Sequence, residues 1–172
     1  MKCFQKNGVI YVDTSEVEKN IKSQKFIGLN KNPRAEKIII SMTSFPRRIN
    51  DAKYAVYSLL NQNFPADMVI LWLAEEEFPK REKNLPADLL AMIPHGLTLK
   101  FCKNLLAYKK LIPALEEYPD SVIVTADDDL YYNPDWLKIL YEEHLKFPQN
   151  IISQKIPKKL IMNQYENLRL KF

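Results

Sequence analysis

A chain of 172 residues with 47% apolar and 27% charged side chains has the make-up of one globular domain with a substantial core, which excludes a fibrous or low-complexity protein. Its net charge of +4 suits an anionic small molecule or a membrane surface and does not call for nucleic acid. Three glycines leave no room for a Gly-rich phosphate loop, and Cys3 and Cys102, with no CxxC spacing, read as free thiols in a reducing compartment.

In chain order, Met1 to Asn7 has no apolar h-region, so no secretory signal is expected, and no apolar run is long enough to span a bilayer. Lys6-Asn7-Gly8 suggests a turn into a short strand at Val9–Val12. The chain is then polar and lysine-rich to Pro33, and residues 1–36 read as an N-terminal extension on the edge of a domain spanning 37–153. Ile38 to Met42 is a buried-strand run leading into the polar loop Thr43-Ser44-Phe45-Pro46-Arg47-Arg48. Asn50 is a suitable cap for an amphipathic helix over 52–62. Met68 to Leu73 is a further strand, followed by a charged loop over 75–83 and a short helix over 86–93. Leu97 to Phe101 alternates as a strand with one wetter face.

Pro113 is tolerated only in a helix's first turn, so the next helix is expected to start near Leu111, with Lys109 and Lys110 at its N-terminus as an anion site. Val122 to Val124 then reads as a strand buried on both faces, and it runs into Asp127, Asp128 and Asp129. A helix capped by Asn133 is expected over 134–146, and Ile151–Ser153 as one more short strand. Strands and helices alternate throughout, which predicts an α/β fold, a mostly parallel sheet with helices on both faces. In such sheets ligands bind beyond the carboxyl ends of the strands, where the Thr43–Arg48 loop and the three aspartates both fall.

Three adjacent carboxylates disfavour one another's ionisation. In extended backbone Asp127 and Asp129 point to one side and Asp128 to the other. Two oxygen ligands on one face suit Mg²⁺ or Mn²⁺ shared with a substrate phosphate; the alternative is a solvated acidic turn. Arg47, Arg48, Lys109 and Lys110 supply the opposite charge, so that a nucleotide diphosphate fits between, or else they are solvated surface cations. His95 and His144 share no ligand spacing, and Trp72 and Trp136 read as packing residues, Trp136 lying close enough to the acidic loop to line a pocket. No nucleophile elbow or Cys–His pair stands out.

The blocks IIISMTSFPRRI, SLLNQNFPADMVILWLAEEEFP and KKLIPALEEYPDSVIVTADDDLYYNPDW resemble bacterial glycosyltransferases of the GT-A fold, a Rossmann-like architecture. More narrowly they resemble the glycosyltransferase-2-like enzymes of capsule and lipopolysaccharide loci. The resemblance covers residues 37–153 and implies that this is a nucleotide-sugar-binding domain. It implies that Asp127-Asp128-Asp129 is the DxD motif, with Asp129 a direct ligand of Mn²⁺ or Mg²⁺ and Asp127 holding metal or ribose. Thr43, Ser44 and Arg47 would line the nucleotide pocket together with Asp127 and Asp128, and Lys109 would approach the diphosphate. The implied reaction moves a sugar from a nucleotide-sugar donor to a glycan or glycolipid acceptor, in the cytoplasm at the inner face of the membrane.

Enzymes of this family continue well past the DxD helix, whereas residues 154–172 form a tail whose single acid is Glu166, and no catalytic base is assigned. A truncated, inactive remnant that binds nucleotide and metal is therefore a second expectation. The tail's lysines and Leu/Ile residues read either as a peripheral contact with an anionic membrane or as a loosely docked end. A nucleotidyltransferase is a third reading, against which the loop SMTSFPRRI lacks glycine.

Overall fold

The computed structural model describes residues 3–6 and 9–153. Two short strands, β1 (Cys3–Lys6) and β2 (Val9–Val12), pair antiparallel and lead into helix α1 (Thr14–Lys22). Then follow β3 (Ile38–Thr43), α2 (Ala52–Leu59), β4 (Met68–Ala74), α3 (Ala87–Leu90), β5 (Leu97–Cys102), α4 (Ile112–Glu117), β6 (Val122–Ala126) and α5 (Trp136–Lys146). The last four strands form one all-parallel sheet in the order β5-β4-β3-β6, with Ile40 opposite Val69 on one side and Val124 on the other. The expected α/β arrangement is therefore present. No helix among the described residues is long and apolar enough to cross a membrane.

Strand residues alternate between the faces with a period of two, and both faces are apolar because helices cover both. Ile38, Ile40, Met42, Val69, Leu71 and Leu73 share one cluster with residues of α1, α2, α3 and α5. Ile39, Ile70 and Trp72 pack on the opposite face with Ala114 of α4. The two histidines take structural places: His95 stacks on Phe26 at 4.3 Å, and His144 lies 3.6 Å from Glu36.

Several local expectations are corrected. Residues 12–36 are less an extension than a part of the core, since Val12, Val17 and Ile21 are buried in the main cluster. Helix α1 went unforeseen because its lysines mask a narrow apolar stripe at Val17 and Ile21; Asp13 caps it by accepting from the Ser15 N–H at 3.0 Å. The following segment is tied down by the Gly28 N–H to the Leu60 carbonyl and the Asn30 N–H to the Ala66 carbonyl. Gly96, which ends the turn after α3, has φ +118°, and a Cβ there would come within 2.5 Å of Leu29 Cγ.

Helix α2 is not capped by Asn50. It grows out of a run of turns in which the Asp51 and Ala52 N–H groups both reach the Arg48 carbonyl. The helix after the aspartates starts at Trp136, two residues later than expected, while Asn133 accepts from the Asp135 N–H at 2.9 Å and so shapes the approach to it. β6 is not buried on both faces: among the described residues it is the last strand of the sheet, and Val122 to Thr125 are only partly covered. Ile151–Ser153 joins no strand among the described residues, and the tail 154–172 lies outside them.

Candidate functional site

The strand order brings the two polar segments together. β3 connects onward to β4 on one side and pairs with β6 on the other, so the carboxyl ends of β3 and β6 are adjacent. In open α/β sheets ligands bind beyond the carboxyl ends of the strands, at such a switch in strand order. The loop after β3 and the acidic turn after β6 meet there.

Ser44, almost fully buried, donates its hydroxyl to Asp128 Oδ2 at 2.6 Å. The turn entering α2 swings Arg48 onto the same carboxylates, with Nε 3.4 Å from Asp128 Oδ1 and one terminal nitrogen 3.8 Å from Asp129 Oδ2. Asp127 is met from the other side by the Lys110 ammonium. Lys110 is aimed by its backbone: Trp72 Nε1 donates to Ser41 Oγ at 3.0 Å, and that hydroxyl donates to the Lys110 carbonyl at 2.6 Å. Within these contacts three carboxylates face two cations, which leaves one negative charge in excess.

The aspartates are unequal. The backbone turns at Asp128 and Asp129, so the side chains of Asp127 and Asp129 are each 34% exposed and that of Asp128 only 13%. Burial pushes the Asp128 carboxyl above the ordinary carboxylate value, Ser44 and Arg48 pull it back, and the two flanking aspartates add to the rise. Asp128 is thus the inward member that locks the turn onto the β3 loop, and the outer pair is the more exposed.

A second support lies beneath the turn. The Asp127 N–H donates to the Tyr132 hydroxyl oxygen at 2.6 Å. Burial raises that phenol well above its usual range, and the nearby aspartates push it further, so it stays neutral. Tyr132 packs on Trp136 at 4.3 Å, and its own N–H reaches Ser58 Oγ at 3.0 Å. Buried Gln62, in the turn that follows α2, donates to the Asn133 carbonyl at 2.9 Å and accepts the Leu137 N–H at 3.0 Å. Tyr132, Ser58 and Gln62 were missed by sequence reasoning. Only the position of Tyr132, five residues past Asp127, hinted at a role, because the contacts from α2 join positions about 75 residues apart.

The expected residues have the following surroundings. Thr43 donates to the Trp72 carbonyl at 2.8 Å, which spends its hydroxyl on joining the ends of β3 and β4, and Ser44 spends its own on Asp128. Arg47 is exposed, and Arg48 is the arginine that meets the aspartates, because the turn from Phe45 points successive side chains in different directions. Lys109 is 2% exposed and pairs with Glu77 Oε2 at 2.7 Å, beyond the carboxyl end of β4; Lys110 is the lysine that meets the acidic turn. Nor do the lysines open a helix: they lie in a 3₁₀ turn over Leu106–Lys110, ahead of a six-residue α4.

Among the described residues no group of three or more His, Cys, Asp or Glu side chains is arranged to hold a metal ion. What the chain offers a cation is the outer pair, Asp127 and Asp129. Two carboxylates fit Mg²⁺ or Mn²⁺ when substrate oxygens and water complete the shell. No family model and no curated protein matches the sequence.

Proposed function

We propose that this chain binds a nucleotide-sugar donor in the crevice between the β3 loop and the acidic turn, as the donor site of a metal-dependent glycosyltransferase of GT-A type. The observation that carries the reading is the pairing of Asp128 with Ser44 and Arg48 at the β3/β6 switch point. It holds two further, partly exposed carboxylates beside two cations. Asp127 and Asp129 would hold Mn²⁺ or Mg²⁺, which when bound neutralises the charge of the departing diphosphate. Lys110 and Arg48, both partly exposed, are placed to turn from the carboxylates to phosphate oxygens. Ser44 and Tyr132 keep the turn in place while they do so. The bond between the anomeric carbon and the diphosphate oxygen breaks, the acceptor hydroxyl oxygen forms the new bond, and its proton passes to a base. The acceptor would be a cell-surface glycan or glycolipid, and the place of reaction the cytoplasmic side of the membrane.

Calorimetric titration of UDP and GDP with and without Mn²⁺ tests this reading. Metal-dependent binding, abolished by Asp129→Ala, is the expected result; a folded chain that binds neither these nor CDP overturns it. Lys110→Ala should weaken diphosphate binding more than nucleoside binding, and Lys109→Ala should not. A second reading, an inactive donor-binding remnant, is favoured by the way Arg48 and Lys110 already neutralise most of the acidic charge. It predicts metal-dependent nucleotide binding without sugar transfer.

A further inference from the structure

Leu106 has φ +53°, a left-handed backbone that bulky side chains rarely adopt, because Cβ crowds the following carbonyl oxygen. Tight packing of the side chain could offset that strain, but Leu106 is 75% exposed among the described residues. Packing therefore does not account for its conformation. The loop is nonetheless held at both ends. The Leu106 N–H donates to Asn104 Oδ1 at 3.1 Å, and the Asn104 N–H to Glu76 Oε1 at 3.3 Å. Beyond it, Glu77 pairs with Lys109 and the Ser41 hydroxyl donates to the Lys110 carbonyl. Tyr108 is 65% exposed, and the whole run Lys-Asn-Leu-Leu-Ala-Tyr over 103–108 is open among the described residues. A strained residue that displays its apolar side chain on a fixed loop points to an interaction surface.

We propose that the loop over 103–108 docks on a lipid bilayer bearing anionic headgroups. The side chains match the layers of such a surface. Leu105 and Leu106 carry no polar atom that would be stranded on leaving water. Tyr108 joins an apolar ring to a hydroxyl, which suits the level of the headgroups. Lys103, exposed at the start of the run, suits lipid phosphate, whereas lysine is depleted from interfaces between proteins. Glu76, the acid that reaches this loop, is turned onto the Asn104 N–H, and the chain as a whole carries a net +4. The loop leaves the carboxyl end of β5, and Tyr108 stands two residues before Lys110, which meets Asp127. Docking here holds the acidic turn close to the bilayer.

Co-sedimentation of the full chain with vesicles tests the proposal, without nucleotide or metal, so that its outcome is separate from that of the donor titration. The unaltered chain is expected to bind vesicles of phosphatidylcholine mixed with phosphatidylglycerol. Leu106→Asn is the decisive variant, because asparagine accepts the left-handed backbone more readily than leucine. It should melt at the same temperature or higher and yet bind these vesicles at least about threefold more weakly. Tyr108→Ser should lose about as much, and Lys103→Gln should weaken binding to the mixed vesicles while leaving binding to pure phosphatidylcholine unchanged. Leu145→Asn, the same change at an exposed leucine of α5, should have no effect. An unaltered chain that does not sediment overturns the proposal. So does binding that survives Leu106→Asn and Tyr108→Ser together, which would place the contact on another surface or on the lysine-rich residues 154–172. An equal loss from Leu145→Asn overturns it too, as does a Leu106→Asn variant that melts lower, since the leucine would then serve the fold.

Discussion

β3 and β6 are written in nearly the same alphabet, Ile38-Ile39-Ile40 against Val122-Ile123-Val124, and each ends in a polar segment at the same edge of the sheet. They nonetheless live in different surroundings. Ile38, Ile39 and Ile40 have no exposed surface, with strands on both sides and helices on both faces, whereas Val122, Ile123 and Val124 are partly open. A β-branched run announces a strand in a covered layer; it says nothing about the strand's place in the order. The division of labour follows from that place: the closed strand anchors the fold, and the edge strand delivers the carboxylates.

The sharpest way to break this contrast is a matched pair of substitutions. Ile40→Asp puts an unpaired carboxylate in a sealed site, at a cost comparable to the whole stability of a domain, so no cooperative unfolding transition should remain in circular dichroism. Ile123→Asp should leave a folded protein destabilised by about 1–3 kcal/mol, since Ile123 is only partly covered among the described residues. Equal effects would mean that β6 is as enclosed as β3. Next in size, Ser44→Ala removes a bond to the partly buried Asp128 and should cost about 1–3 kcal/mol by chemical denaturation. Thr43→Val loses its bond to the Trp72 carbonyl and should cost about 1 kcal/mol. If the Thr43 change costs more, the clamp between the strands matters more than the one on the acidic turn.

The smallest effect is a slope. Asp128 has a folded-state pKa raised above its ordinary 3.8, so its contribution to stability is complete below pH 3.8 and is lost as pH rises through the raised value. Asp128→Asn should accordingly gain on the unaltered protein in thermal stability as pH climbs from 3.8 towards neutrality, measured with chelator present. A difference that is flat, or that runs the other way, would show that Ser44 and Arg48 outweigh burial.

Much of the molecule was legible residue by residue. The strands at 38–43, 68–74 and 97–102 follow from apolar runs bounded by polar residues, and their alternation with helices led to the parallel sheet. Helix α1 was not legible, because two apolar residues among lysines leave a weak pattern until α2 is there to cover them. At the site, the presence of three carboxylates and a pair each of arginines and lysines could be read directly, but the choice within each pair could not. Which of two adjacent side chains faces a strand end depends on the phase of the turn that carries it. Arg48 rather than Arg47, and Lys110 rather than Lys109, are decided by a turn at Phe45 and by the Ser41 hydroxyl holding the Lys110 backbone.

The sequence by itself determined the class of fold, the acidic turn at a strand's carboxyl end and the opposing charge, because periodicity, chain breaks and side-chain chemistry are local properties. The tertiary structure alone decided that β6 lies beside β3 at the end of the described sheet, that Asp128 turns inward and that Tyr132 and Gln62 carry the turn. Those outcomes rest on strand order and on contacts between residues far apart in the chain, whose closure no local pattern records.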